Sequence, residues 1–179
     1  MVYVLLGTGF EDVEAITPID LLRRAGIAVL TVGLNGKIVT GGHGIGIEAD
    51  ITIDEMDLTD LEMIVLPGGL GGVASIQNCA PAMDAIRFAH ENNKYIAAIC
   101  AAPTILGKLG LTQQKTITCY PGCEAPCEGA TIAQVAAVRD GMLITGTSAG
   151  CAIAFALQLI SVMAGQEAAD KVQQQIVIR

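Results

Sequence analysis

Basic residues are the scarcest resource of this chain. Ten Lys and Arg stand against eighteen Asp and Glu, for a formal net charge of −8, and no Lys/Arg cluster occurs. Nucleic acid needs a basic footprint, so a nucleic-acid partner is excluded, and an anionic membrane surface is disfavoured for the same reason. Charge of either sign is also sparse, at 16% of residues against 52% hydrophobic, with a mean hydropathy of +0.56. So little charged surface implies that another subunit covers part of the exterior. Histidine occurs only twice, at His43 and His90. Long apolar runs are missing: Ala149 to Gly165 falls short of the roughly 20 residues needed to span a bilayer and contains Gln158 and Ser161. The first ten residues lack the basic region and the longer apolar run of a secretion signal. Six cysteines without such a signal point to a reducing cytoplasm and free thiols.

What is present is an alternation of strands and helices. A chain of 179 residues suits one α/β domain over 1–179. Val2 to Leu6 is an apolar run, hence a buried strand. Glu11 to Ala25 has helical spacing, with Val13, Ile16, Ile19, Leu21 and Leu22 expected on one side, acids early and Arg23-Arg24 late, and Pro18 should kink it. Ile27 to Gly33 is a second strand, which makes a βαβ unit and a largely parallel sheet. Lys37 to Ile53 predicts small antiparallel strands outside that sheet around Gly41-Gly42-His43-Gly44. Met63 to Leu66 is a buried strand that runs into the glycine-rich loop Pro67 to Gly72. Pro81 to Asn92 is a helix, Lys115 to Thr118 a short strand and Tyr120 to Thr131 an irregular loop. Ala136 to Thr145 is a hairpin turned at Asp140-Gly141, and Ser148 to Ala164 and Gln166 to Gln175 are closing helices.

The chain is organised around Lys94 to Pro103. Tyr95 to Ile99 is a short buried strand, and Cys100 follows at once, before AAPTILGKLG takes up helical spacing. A residue at such a turn stands above the sheet edge, beside unpaired helix N–H groups, and a thiol there is biased toward thiolate. The competing reading is a small buried hydrophobe. Other stretches carry less. Gly7-Thr8-Gly9 lacks the third glycine of a dinucleotide fingerprint, and Asp12 stands in its place. Pro67 to Gly72 lacks the Lys and Ser/Thr of a P-loop, and its glycines suit a backbone N–H donor to an oxyanion better. Gly146 to Gly150 matches G-x-S-x-G, yet no His follows Ser148. Cys119, Cys123 and Cys127 recur every four residues but lack a fourth ligand for zinc, so they read as free loop thiols, and Cys79 and Cys151 as packing.

Glu11-Asp12-Val13-Glu14, Thr17-Pro18-Ile19-Asp20, Arg23-Arg24-Ala25-Gly26, Val65-Leu66-Pro67-Gly68-Gly69 and Ala97 to Pro103 occur in order over essentially the whole chain. Together they resemble the ThiJ/PfpI family, in the branch of the Parkinson-disease-associated protein deglycase. The resemblance implies a flavodoxin-like α/β sandwich, with a mostly parallel central sheet and helices on both faces, related to class I glutamine amidotransferases. It implies a homodimer and a nucleophile-elbow cysteine, Cys100, partnered by Glu14, with N–H groups of Gly69 and Ala101 as oxyanion donors. It implies a glyoxalase or deglycase acting on α-oxoaldehydes such as methylglyoxal, or on modified protein side chains, without metal or cofactor. The old thiamine-biosynthesis label and sensor or chaperone roles in oxidative stress come with it. The protease-like branch has a His directly after the cysteine, where this chain has Ala101, and the amidotransferases need a late His that is absent here. Some members of the favoured branch have a His where this chain has Thr118-Cys119-Tyr120-Pro121, so that Tyr120 replaces it or nothing does. Tyr120 is therefore an auxiliary candidate, and His43, expected near the dimer interface or the partner's pocket, is another. The competing function is a non-enzymatic sensor through Cys100 oxidation. A protonated Glu14 is expected to hydrogen-bond Cys100 and depress the thiol pKa.

Overall fold

The computed structural model describes residues 1–178. Its main sheet has seven strands: β1 (Val2–Leu6), β2 (Val29–Gly33), β5 (Ile51–Thr52), β6 (Met63–Leu66), β7 (Tyr95–Ile99), β10 (Ala137–Asp140) and β11 (Leu143–Gly146). They lie in the order β10-β11-β7-β6-β1-β2-β5. Every neighbouring pair is parallel except β10–β11, the expected hairpin. The four central strands β1, β2, β6 and β7 read as apolar runs because both faces are covered. Val2, Val4, Leu6, Met63, Val65, Ala97 and Ile99 face one layer, which holds α1 (Asp12–Arg24), α5 (Ala152–Ala164) and α6 (Gln166–Gln175). Tyr3, Leu5, Ile64, Leu66, Ile96 and Ala98 face the other, with α2 (Leu70–Gln77), α3 (Ala80–Glu91) and α4 (Pro103–Lys108). This is a flavodoxin-like α/β sandwich with helices on both faces of a mostly parallel sheet.

Three elements depart from the sequence reading. Helix α2 occupies ground assigned to the glycine-rich loop. The antiparallel pair β3 (Ile38–Thr40) and β4 (Gly46–Glu48) lies outside the main sheet as expected, but β5 joins the main sheet beside β2. Inside the loop after Ile117, β9 (Thr131–Ile132) forms a small parallel pair with β8 (Thr116–Ile117). Among the described residues no helix is long and apolar enough to cross a membrane.

Candidate active site

The carboxyl ends of the parallel strands meet where the chain order reverses, between β1 and β6, and open sheets of this kind bind ligands there. Three turns converge on that edge: Gly7 to Glu11 after β1, Pro67-Gly68-Gly69 after β6, and Cys100 after β7. Cys100 has φ +65, a left-handed backbone for a residue with a Cβ. Such a conformation costs about 1–3 kcal/mol and persists only where surrounding contacts enforce it. Here Cys100 N–H donates to Gly146 C=O at 3.0 Å, and its own C=O accepts Tyr120 N–H at 2.8 Å. Both sides of the turn are pinned, so the side chain is lifted off the strand end.

Glu14 comes from the first turns of α1 and is fully buried. Its Oε2 accepts Gly68 N–H at 3.0 Å. No donor reaches its Oε1 with good hydrogen-bond geometry, but the Cys100 thiol lies beside the carboxyl and couples to it. Gly68 makes this approach possible: a Cβ there would stand 2.7 Å from Cys100 Cβ and against Glu14 Oε2. Burial pushes the Glu14 carboxyl up to about 7, and the nearby Glu11 charge adds to it, against the hydrogen bonds from Cys100 and Gly68. The Cys100 thiol is pushed up to about 12, first by burial, then by the Glu14 charge and hydrogen bond. The N–H groups of Ala101 and Gly69 bond the sulfur and pull the other way.

The thiol shift corrects the expectation of a depressed Cys100. The expected donors are at the sulfur, but the thiol is desolvated and gives its hydrogen bond to an ionised carboxylate. Helix α4 has only six residues and no side-chain cap, so its dipole adds little. The pair holds one mobile proton near neutrality, resting on sulfur when Glu14 is charged.

A depression of about 330 Å³ opens over Cys100, lined by Glu11, Gly69, Leu70, Ala101, Tyr120 and Cys123. The structure therefore brings together Cys100, Glu14, Gly69, Ala101 and Tyr120. Neither His43 nor His90 lines the depression. Exposed His43 sits one step away, its N–H and Nδ1 on Asp12 Oδ2 at 3.0 and 3.1 Å and Nδ1 3.6 Å from Glu11 Oε1. Among the described residues, Glu11, Asp12 and His43 are the one group with metal-ligand spacing; Cys119, Cys123 and Cys127 do not form one. Asp12 Oδ2 is already used by His43, which makes this trio a brace between the β3–β4 hairpin and α1. Ser148 Oγ faces Cys151 Sγ at 3.9 Å, and among the described residues no histidine hydrogen-bonds it. Sequence reading missed Glu11 and Leu70 as lining residues and placed Cys123 merely in a loop. Only Glu11, three residues before Glu14 in the acidic motif, carried a signal.

A strained cysteine between strand and helix, joined to a buried carboxyl at the switch point of a parallel sheet, defines the nucleophile-elbow class of α/β proteins. Within that class the chain belongs to the DJ-1/PfpI family, whose pattern matches residues 1–162. It is 35% identical to protein dj-1beta of Drosophila melanogaster, over 98% of this chain and 95% of that one. The Parkinson disease protein 7 homolog of Danio rerio is 29% identical over 98% of this chain and 96% of its own. The crystal structure of Drosophila DJ-1beta superposes with a TM-score of 0.93, covering 99% of this chain and 97% of that chain. Oxidised Toxoplasma gondii DJ-1 superposes at 0.92, with 29% identity over 98% and 97% of the two chains. The family includes cysteine-dependent enzymes.

Proposed function

We propose that the protein is a cytoplasmic, cofactor-independent, cysteine-dependent enzyme of α-oxoaldehydes, methylglyoxal being the simplest, free or as adducts on protein side chains. The observation that carries this is the buried Glu14–Cys100 pair beneath two N–H donors. As an aldehyde enters the depression, the thiol proton passes to Glu14 and sulfur attacks the carbonyl carbon. The N–H groups of Gly69 and Ala101 then turn from the sulfur to the oxygen that becomes negative, and protonation gives a hemithioacetal. Glu14 then removes the proton from the sulfur-bearing carbon and returns one to the neighbouring carbonyl carbon, leaving a thioester of the 2-hydroxyacid. Water releases the acid and restores the thiol. Tyr120, which lines the depression, assists the proton at the substrate's second oxygen. Ala101 in place of a His speaks against peptide hydrolysis.

The test is lactate formation from methylglyoxal by the pure protein. Wild type is expected to turn over, and Cys100→Ser to lose all but background. No lactate from wild type overturns the enzyme reading. The sensor reading is favoured by the oxidised state of the Toxoplasma relative, and would then stand on Cys100 oxidation alone. Assembly as a homodimer belongs to the same proposal, with His43 at the junction.

A further inference from the structure

We propose that Cys123 is the resolving thiol of Cys100, so that a hydroperoxide converts the pair into an intramolecular disulfide across the mouth of the depression. Both cysteines line that depression, and both are partly exposed. The loop that carries Cys123 is fastened to Cys100 itself: Tyr120 N–H donates to Cys100 C=O at 2.8 Å, and Cys123 N–H donates to Tyr120 C=O at 2.9 Å. These two bonds close a tight turn through Pro121 and Gly122, with Gly122 at φ +93. A disulfide requires Cα atoms about 4.4–6.8 Å apart, and the turn that carries Cys123 is exposed at Tyr120, Pro121 and Gly122 and belongs to no strand or helix.

The other cysteines are worse placed. Cys119 and Cys127 are 4% and 2% exposed, and Cys127 Sγ–H is engaged with Pro103 C=O at 3.4 Å. Cys79 precedes α3, and Cys151 lies against Ser148. Neither lines the depression. Burial and the Glu124 charge keep Cys123 protonated, so it waits as a thiol while Cys100, which has a proton acceptor in Glu14, reacts first.

The chemistry balances in two steps. Glu14 takes the Cys100 proton, the thiolate attacks the terminal peroxide oxygen, and the O–O bond breaks. The sulfur becomes a sulfenic acid, and the departing alkoxide or hydroxide takes up the proton as alcohol or water. Cys123 sulfur then attacks Cys100 sulfur, the S–O bond breaks, and water leaves with the Cys123 proton. Two thiols and one hydroperoxide thus give one disulfide, one alcohol (or water) and one water. The disulfide would spare Cys100 from irreversible oxidation, and it does not depend on aldehyde turnover.

The experiment treats the full-length protein with one equivalent and then ten equivalents of hydrogen peroxide, followed by intact mass and thiol-blocked peptide mapping. Wild type is expected to lose about 2 Da and link Cys100 to Cys123, and the doubly substituted Cys119→Ser/Cys127→Ser protein should do the same. Cys123→Ser is expected instead to gain about 32 Da on Cys100, the sulfinic acid. The proposal is overturned if wild type gains the oxygens on Cys100 with Cys123 still blocked as a free thiol. It is equally overturned if Cys123 is found linked to Cys119 or Cys127.

Discussion

At the residue scale, one proton shared between Glu14 and Cys100 decides what the site can do. A glutamic acid beside a thiol reads equally well as a donor that favours thiolate or as a charge that opposes it. The family resemblance pairs the two residues but carries no information on desolvation, and desolvation is the largest influence on both. The sign of the coupling has a direct consequence. With Glu14 ionised, its charge and its hydrogen bond both hold the proton on sulfur. Glu14→Ala removes both, so the Cys100 titration should move to lower pH. Glu14→Gln should move it further, because an amide N–H can donate to the sulfur. Both variants lose the base, and lactate formation should fall about 10²-fold or more. Thiolate absorbance against pH, in a background that keeps only Cys100, reads the first effect. A Glu14→Ala thiol that titrates at or above the wild-type pH would show that the carboxylate does not hold the proton. A more anionic but less active thiol would separate proton transfer from nucleophile supply.

At the element scale, what was legible in the sequence followed burial. The central strands announced themselves because a parallel sheet covered on both faces leaves no polar alternation to confuse the reading. Helix α1 showed its charge asymmetry, Asp12 and Glu14 early and Arg23 and Arg24 late. Helix α2 was illegible because Leu70-Gly71-Gly72 has the composition of a loop. The glycines are there for packing rather than flexibility: a Cβ on Gly72 would stand 2.7 Å from Phe10 Cα, and one on Gly71 3.0 Å from Gly9 Cα. They let α2 press against the turn after β1, which holds the Gly68-Gly69 strap under the Cys100 sulfur. The β5 strand was misplaced for a different reason. The period-two isoleucines continue through Ile51, but the partner is chosen by Thr31 and Asp50, whose side chains bond each other and each other's backbone at 2.7–2.8 Å. Gly72→Ala should therefore destabilise by about 1–3 kcal/mol, although alanine is the better helix former. Thermal unfolding checks this, and a raised Tm would mean that the contact is not tight.

At the scale of the whole molecule, the shortage of charge has a location. Val13 and Ile16 are 48% and 42% exposed on α1, and Ile38 and Ile45 are 69% and 53% exposed on the β3–β4 hairpin and its tip. The hairpin is tied to the start of α1 by Gly42 N–H to Phe10 C=O at 2.7 Å and by the His43–Asp12 contacts. Helix and hairpin thus offer apolar residues from neighbouring elements, with Glu11 of the depression at their edge. A second copy of the chain is the occupant proposed above for this surface, and a self-complementary patch on α1 is what two-fold pairing needs. Light scattering should then give twice the 18.5 kDa chain mass at micromolar concentration. Ile16→Glu places a charge in the paired surface while leaving the core of α1 untouched. Burying it unpaired costs several kcal/mol, so dissociation should rise by well over about tenfold and monomer should appear. Because α1 also carries Glu14, the dissociated variant reports whether the partner supports the site. If Ile16→Glu is monomeric but makes lactate at the wild-type rate, the dimer stabilises the fold and leaves the chemistry to one chain. If wild type is itself monomeric across that range, the exposed isoleucines need another account, and the claim that a partner covers them is wrong.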